Sequence, residues 1–509
     1  MSIDEKPSAL LRRIYDEEFG FLPTNSSMKP VHVANGMARR LLGRQHDFAP
    51  LAQVLRQFVD NQKGGFKEER FPNSLILEEY GDRFEDAFHN SPGDESLTRF
   101  RALAKDTLGA DDAVFPTQAS FTLSHERMVT ADISDNGSGE LLAGLLTAGR
   151  EHTTTSAADV FCDFLASDTD PWSTLAWPLL DLLEPREATL SEAMELRAQR
   201  RERILAVDEQ GELLSPTLRE LRARYDQLAK YERDHGSKLT ALRRMVLFGV
   251  FTIHIHMIRR AHDVSAKAPL PPLLLDMFDG RKRSLRDASA ATLQGGFRAI
   301  EHLIVHRVTQ ELTEFATDDP SAFVADLPSE PEWDAVRAEF LAHAGSHSPQ
   351  EALAEAYWKV GYSSVGPKEV QGFPWNALLA LGRRSGFLMP YDNRGRGGKE
   401  HKRYGATAEF AEMLVISTVH PDHPVDFDEF LERLRSSYGI VLGGPHDIAA
   451  IRANDLRNGN GGTRRSTVSV LESDLRQNML AFRDLIIDIG FAKAYADGRT
   501  VVTTAEVNA

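Results

Sequence analysis

The chain has 509 residues, of which 42% are hydrophobic and 26% are charged, and these proportions exclude wholesale disorder. With 75 acidic side chains against 59 basic ones, its formal net charge is −16, so any contact with nucleic acid requires a local basic patch. The single cysteine, Cys162, excludes an intramolecular disulfide and a cysteine zinc cluster, which favours a reducing, cytoplasmic location.

Residues 1–180 are predicted to form a mostly helical N-terminal domain. The segment Met1 to Lys6 lacks the basic start and the apolar core of a signal peptide. The Ser124-His125-Glu126 triplet does not indicate a hydrolase, because triad members converge through the fold and the G-x-S-x-G elbow is missing. This part of the sequence therefore predicts no catalytic chemistry.

Residues 186–330 are predicted to form a central helical domain with a helical hairpin over about 187–262. Ser215 supplies an N-cap, and Pro216 follows at the first helical position. The apolar run Met245 to Ile258 falls short of the ~20 residues needed to cross a bilayer. It therefore predicts a buried helix or strand, and we expect no membrane association.

Histidines offer two candidate metal sites. On a helix, His254 and His256 point about 200° apart and cannot share a metal ion, whereas on a strand they share a face. His420, Asp422 and His423 lie in a proline-bearing loop and are ligand types that suit zinc or manganese. A core role for His254 and His256 is favoured, and the sequence predicts no bound metal. Phosphate-binding and dinucleotide-binding glycine motifs are missing, so no cofactor is predicted either.

The segment Pro320 to Pro331 is acidic and contains prolines, which predicts a linker. Residues 346–419 follow and are predicted to form a winged-helix-like domain. Two helices, the second ending at Gly386, precede an apolar strand over 387–391, a glycine-rich tip and a returning strand that begins at Tyr404. This order of elements is typical of a winged helix-turn-helix.

Charge distinguishes this domain from the rest of the chain. Between Leu381 and Tyr404, seven basic side chains stand against two acidic ones. Arginines at a glycine-rich tip can reach phosphates or a narrow minor groove, and the preceding helix could enter the major groove. The alternatives are a wing that binds protein and a loop that is basic for solubility. The predicted nucleic-acid contacts here are Arg383, Arg384, Arg394, Arg396, Lys399, Lys402 and Arg403.

Residues 420–509 are predicted to form a C-terminal helical domain that looks like a second winged fold. An amphipathic helix from Phe427 precedes a Gly/Asn-rich loop, a long helix over about 469–489 and a terminal β-hairpin with Asp497-Gly498 at its turn. The loop adds three predicted nucleic-acid contacts, which are Arg457, Arg464 and Arg465.

The last third also resembles a known class of proteins. Arg-Ser-Gly-Phe-Leu-Met-Pro at 384–390, Tyr-Gly-Ile-Val-Leu-Gly at 438–443 and the closing Asp-Gly hairpin resemble the tails of accessory proteins encoded in bacterial antiviral defence operons. The resemblance implies a non-catalytic subunit that works beside an ATPase or a nuclease. It supplies no catalytic residues.

The sequence thus predicts a mainly α-helical, multidomain protein with winged-helix-like α+β modules at its C-terminus. The first functional hypothesis is a non-catalytic subunit of a multi-protein complex that binds double-stranded DNA or acts as an adaptor. The second is a protein-interaction subunit whose winged folds bind protein, as the kleisin-like subunits of chromosome-organising complexes do. The third is a metal-dependent hydrolase that uses the histidines described above.

Overall fold

The structure is a computed structural model of the 509-residue chain. It describes residues 5–23, 28–47, 72–88, 93–104, 122–150, 156–167, 173, 180, 184–185, 192–265, 270–315, 319–343, 348–365, 375–390, 402–444, 446–447 and 470–505.

Internal packing divides the chain into two compact units, each assembled from separated stretches. The large unit comprises residues 1–27, 196–221 and 251–509, and the small unit comprises residues 28–195 and 222–250. These units do not coincide with the predicted consecutive domains, whose boundaries were drawn at about 180, 330 and 420.

The described residues are mainly helical, as predicted, and contain seventeen α-helices and nine short strands. The helices are α1 (Pro7–Phe19), α2 (Pro30–Leu42), α3 (Asn73–Phe88), α4 (Asp94–Ala104), α5 (Ser138–Thr147), α6 (Ala157–Ala166), α7 (Glu192–Ile204), α8 (Pro216–His235), α9 (Lys238–Val264), α10 (Arg283–Phe315), α11 (Pro320–Asp326), α12 (Pro331–His343), α13 (Pro349–Val365), α14 (Trp375–Arg384), α15 (Ala408–Thr418), α16 (Phe427–Tyr438) and α17 (Glu472–Asp488). The strands are β1 (His46–Asp47), β2 (Glu184–Pro185), β3 (Leu273–Leu274), β4 (Leu388–Met389), β5 (Arg403–Tyr404), β6 (Val425–Asp426), β7 (Ile440–Val441), β8 (Ala492–Ala494) and β9 (Thr500–Val502).

In the small unit, α2 and α5 pack at very close range. A Cβ atom added to Gly139 would lie 2.3 Å from the carbonyl oxygen of Val33 and 2.4 Å from the amide nitrogen of Met37. Asn35 on α2 is buried, and its amide side chain exchanges hydrogen bonds of 3.0 and 2.9 Å with the backbone of Thr130. The helix crossing therefore requires glycine at position 139.

The helices predicted over 187–262 are present as α7, α8 and α9. Ser215 caps α8, because its hydroxyl accepts the Leu218 N–H at 3.2 Å and Pro216 begins the helix. Of the described helices, only α9 is long and apolar enough to cross a membrane, and 89% of its most apolar window is buried inside the protein. The prediction of a buried element at 245–258 is confirmed, and the element is a helix.

In the large unit, α13 packs against α1, α10 and α12. The segment 320–331, predicted as a linker, instead forms α11 and the start of α12. Asp319 caps α11 by accepting the N–H groups of the first turn, and Trp333 on α12 is buried. The linker prediction was wrong because Pro320 and Pro331 stand at the first position of their helices, where proline is favourable.

The order of elements predicted for 346–419 is present in its described part. Helices α13 and α14 precede the strands β4 and β5, which pair antiparallel with Leu388 opposite Tyr404 and Met389 opposite Arg403. The tip that joins the two strands lies outside the described residues.

Residues 408–505, called here the C-terminal module, contain α15, β6, α16, β7, α17, β8 and β9. Strand β9 lies between β6 and β8 and is antiparallel to both. The predicted terminal hairpin is confirmed as β8 and β9, with Gly498 at φ +86° in its turn. Helix α15, which precedes the predicted boundary at 420, packs against α16 and α17.

Candidate functional site

The strand pair β4–β5 is anchored in the large unit by two of the predicted contact residues. Arg403 is 4% exposed, and its guanidinium donates to Asp276 Oδ2 and to Asp279 Oδ1, each at 2.8 Å. Lys402 is also buried, and its ammonium donates to the carbonyl of Pro390. Both cations are already bound to groups of the protein itself. Neither is therefore available to contact a phosphate group.

Asp276 is the acceptor that fixes Arg403. Its carboxylate is fully buried and also accepts the N–H groups of Phe278 at 2.9 Å and Gly280 at 2.7 Å. Its own N–H donates to the Tyr404 carbonyl at 3.0 Å. The local charge pattern does not indicate that Asp276 is the partner of Arg403, because the two residues are 127 positions apart in the sequence.

The other predicted nucleic-acid contacts fall into two groups. Arg383 and Arg384 are half-buried in the last turn of α14, where positive charge interacts favourably with the helix dipole. Six predicted contacts lie outside the described residues, namely Arg394, Arg396, Lys399, Arg457, Arg464 and Arg465.

His254 and His256 lie on α9, so the strand geometry that would let them share a metal ion is not present. Both are buried; His254 Nε2 lies 2.8 Å from the Tyr404 hydroxyl, and the Nε2–H group of His256 donates to the Phe19 carbonyl at 3.3 Å. Burial lowers the pKa of His254 to about 3 and that of His256 to about 4, so both rings are neutral at pH 7. Both histidines are therefore buried core residues.

The second candidate metal site is a surface loop. His420 Nδ1 and Asp422 Oδ2 lie 3.5 Å apart, and the rings of His420 and His423 are 5.5 Å apart between centres. Across the described stretches, no three His, Cys, Asp or Glu side chains form a group that could hold a metal ion. The geometry therefore gives the metal-dependent hydrolase no support.

Helix α17 of the C-terminal module is docked on an earlier segment of the large unit through Asn478, a residue that the sequence did not single out. Asn478 is fully buried, and its Nδ2 donates to the carbonyls of Leu275 at 2.8 Å and Leu442 at 2.9 Å. Its Oδ1 accepts the Met277 N–H at 2.9 Å. One side chain thus joins the segments that follow β3 and β7 to α17.

Further contacts occupy the first turn of α17. Asp474 accepts hydrogen bonds from Lys282, at 3.0 Å, and from the Ser284 hydroxyl. Strands β3 and β7 pair in parallel beside it. The buried apolar cluster at this contact comprises Leu274, Leu285, Ala288, Val441 and Leu475. The first two turns of α17 are therefore engaged with residues 274–288 of the same chain.

The chain matches no protein-family model, no curated protein and no solved structure. The functional argument therefore rests on the residues themselves.

Proposed function

We propose that the chain is a non-catalytic, DNA-binding adaptor subunit of a multi-protein complex. The observation that carries this proposal is the anchoring of the strand pair β4–β5 by Arg403 and Asp276. These strands lie within residues 381–404, where basic side chains outnumber acidic ones by seven to two. Since Lys402 and Arg403 are bound within the fold, the groups of that segment proposed to contact DNA are Arg394, Arg396 and Lys399.

The chemistry of this segment suits a phosphate backbone. Arg394, Arg396 and Lys399 alternate with glycines, which allow a close approach to another backbone. Contacts to phosphates position a protein on the duplex but carry no direct sequence information. The proposal is therefore binding to double-stranded DNA with little sequence preference.

A salt titration of DNA binding by the full chain tests the proposal. Each neutralised phosphate contributes about −0.9 to the slope of log K against log salt. The variant Arg394→Ala/Arg396→Ala should flatten the wild-type slope by about 1.8 and weaken binding to all sequences alike.

The matched control is Arg433→Ala/Arg435→Ala, because these arginines pair with Glu429 and Glu432 on their own helix. The control should keep the wild-type slope. A wild-type protein that does not bind duplex DNA at low salt would refute the proposed function.

The partners proposed for such a subunit are an ATPase or a nuclease of an antiviral defence system. Support comes from the resemblance of the last third to accessory proteins of defence operons. Purification of the tagged full chain from its native host should recover a stoichiometric partner with one of these activities. Recovery of the chain alone would count against an adaptor role.

A second candidate function is protein interaction by the C-terminal module as a winged helix. The described elements run α15, β6, α16, β7, α17, β8 and β9, and β6 pairs with β9. A terminal hairpin whose last strand pairs with the first strand supports this candidate, because a winged helix has the same pairing. Residues 408–505 include fourteen acidic side chains and ten basic ones. This acidic excess suits a basic protein partner.

In this second proposal, the protein partner binds at a cavity beside α16. It has a volume of about 400 Å³ and is lined by Asp428, Leu431, Glu432, Arg435, Gly444, His446 and Asp447. Failure of the wild type to bind DNA, together with recovery of a stoichiometric basic partner, would favour this function over the first.

A further inference from the structure

A basic run that the predicted contacts do not include stands at the start of α10. Four cations occur within six residues, Arg281, Lys282, Arg283 and Arg286, in a chain of net charge −16. The run follows a tight turn in which Asp279 and Gly280 have φ angles of +51° and +75°. All four residues belong to the described part of the large unit.

The fold places this run beside the base of the strand pair β4–β5. Arg403 donates to Asp279, and a Cβ atom added to Gly280 would lie 3.0 Å from Arg403 Nη2. Arg281 is the next residue of the chain. Arg403, at the end of the basic stretch 381–404, therefore lies next to the start of the run 281–286.

The four cations are not equally available. The ammonium of Lys282 bonds Asp474 at 3.0 Å and lies 4.7 Å from the centre of the Phe278 ring. Arg286 pairs with Asp287 at 3.0 Å. Lys282 is therefore held by contacts with other parts of the fold, and Arg286 is paired with its neighbour Asp287.

Arg281 and Arg283 are the available members of the run. Arg281 is exposed, and its Nε–H donates to the Phe278 carbonyl at 2.9 Å. The Arg283 side chain is 87% exposed and reaches Asp287 only at 3.5 Å, a carboxylate that it shares with Arg286. Such an exposed pair contributes little free energy and can be exchanged for another anion.

We infer that Arg281 and Arg283 contact the phosphate backbone of duplex DNA, extending the surface that begins at the strand pair β4–β5. The inference rests on the proposed DNA-binding function. A guanidinium group presents several N–H donors in a plane and binds phosphate oxygens in a bidentate manner.

Nucleic acid fits this surface better than an anionic membrane does. A helix that binds a membrane surface inserts apolar side chains beside its cations. The one apolar side chain of the run, Leu285, is fully buried in the protein. The exposed groups offered by the run are therefore polar, and they match a phosphate backbone.

The test is a salt titration of binding to a short labelled DNA duplex by the full chain. The variant Arg281→Ala/Arg283→Ala should flatten the slope of log K against log salt by about 1.8. Binding at 0.15 M salt should weaken by roughly 30-fold, as expected for two lost contacts. Its thermal melting curve should match that of the wild type, since both side chains are exposed. The control Arg433→Ala/Arg435→Ala should keep the wild-type slope.

The outcomes separate this inference from the function on which it rests. If the wild type binds DNA and the Arg281→Ala/Arg283→Ala variant keeps the full slope, the inference is wrong and the proposed function stands. If the wild type does not bind the duplex at low salt, both are wrong. If the wild type instead binds vesicles of phosphatidylserine and phosphatidylcholine, and the variant loses that binding, the run is a membrane contact and the inference fails.

Discussion

Arg403 and Asp276 form a buried ion pair whose contribution to stability can be measured. Replacing Arg403 with methionine keeps an unbranched side chain but leaves the fully buried Asp276 carboxylate without its cation. Removing one partner of a buried pair typically costs about 3 to 5 kcal/mol. We expect Arg403→Met to lower the free energy of unfolding by about that amount, as measured by denaturation in urea.

The control for this substitution is Arg476→Met. Arg476 is exposed on α17, and its replacement should change the free energy of unfolding by no more than about 0.5 kcal/mol. If Arg403→Met costs no more than this control, the ion pair does not anchor the strands. Arg403 would then return to the set of candidate phosphate contacts.

Asn478 shows what the sequence could not reveal at the residue scale. The sequence predicts a long helix around it, and that helix is confirmed as α17. Asparagine is unfavourable within helices, but nothing in the local pattern indicates what this one binds. Its partner Leu275 lies 203 positions away, so only the tertiary fold brings the two together.

At the scale of elements, the sequence correctly predicted the helix start and the hairpin turn that depend on local contacts. Ser215 and Pro216 mark the start of α8, and Asp497-Gly498 marks the turn between β8 and β9. The parallel pair of β3 and β7 was not predicted, because its strands lie on either side of α10 to α16 in the sequence. No periodicity within either two-residue strand indicates its partner.

The crossing of α2 and α5 gives the prediction at this scale. In Gly139→Ala the new Cβ atom would overlap the backbone of Val33 and Met37, so the two helices must move apart. Overpacking of this kind typically costs about 1 to 3 kcal/mol. We expect a loss at the upper end of that range in the free energy of unfolding, because the clash is with backbone atoms rather than with a mobile side chain.

Gly81→Ala provides a matched control for Gly139→Ala. Gly81 lies within α3, and a Cβ atom added there would meet no heavy atom within 4 Å. Since alanine is favoured over glycine inside a helix, this variant should have a free energy of unfolding higher by roughly 0.5 to 1 kcal/mol. Equal effects of the two substitutions would show that helix propensity, rather than the close crossing, determines the result at position 139.

At the scale of the whole molecule, the sequence patterns predicted the helical class, but they did not predict the division into units. The small unit includes residues 222–250, which lie between two stretches of the large unit. Consecutive domains are the simplest expectation from length alone, whereas these units follow from long-range packing. The same limit applies to the candidate site, where the charge pattern singled out Lys402 and Arg403 but not the groups of the fold that bind them.

The buried ionisable groups predict how the stability of the molecule depends on pH. His254 and His256 titrate near pH 6.5 when unfolded but near 3 and 4 when folded. Between these values the unfolded state binds more protons, so stability is lost as the pH falls. Between pH 7 and pH 5, protonation of each histidine should lower the free energy of unfolding by about 2 kcal/mol. Burial raises the pKa of Asp135 from 3.8 to about 6, so the folded state binds this proton more readily than the unfolded state does. Between pH 7 and pH 5 this group should therefore increase the free energy of unfolding by about 1 kcal/mol.

The variant His254→Phe tests the origin of this acid sensitivity. Phenylalanine keeps an aromatic ring beside Phe387 and Tyr404 but cannot bind a proton. At pH 7 the variant should be less stable by about 1 to 3 kcal/mol, because the buried Tyr404 hydroxyl loses its partner. Its loss of unfolding free energy between pH 7 and pH 5 should nevertheless be about 2 kcal/mol smaller than in the wild type. Tyr404→Phe supplies the control, since it removes the same hydrogen bond but keeps the buried imidazole and should retain the wild-type pH dependence. If denaturation at the two pH values shows the same loss for His254→Phe as for the wild type, protonation of His254 is not what destabilises the fold in acid.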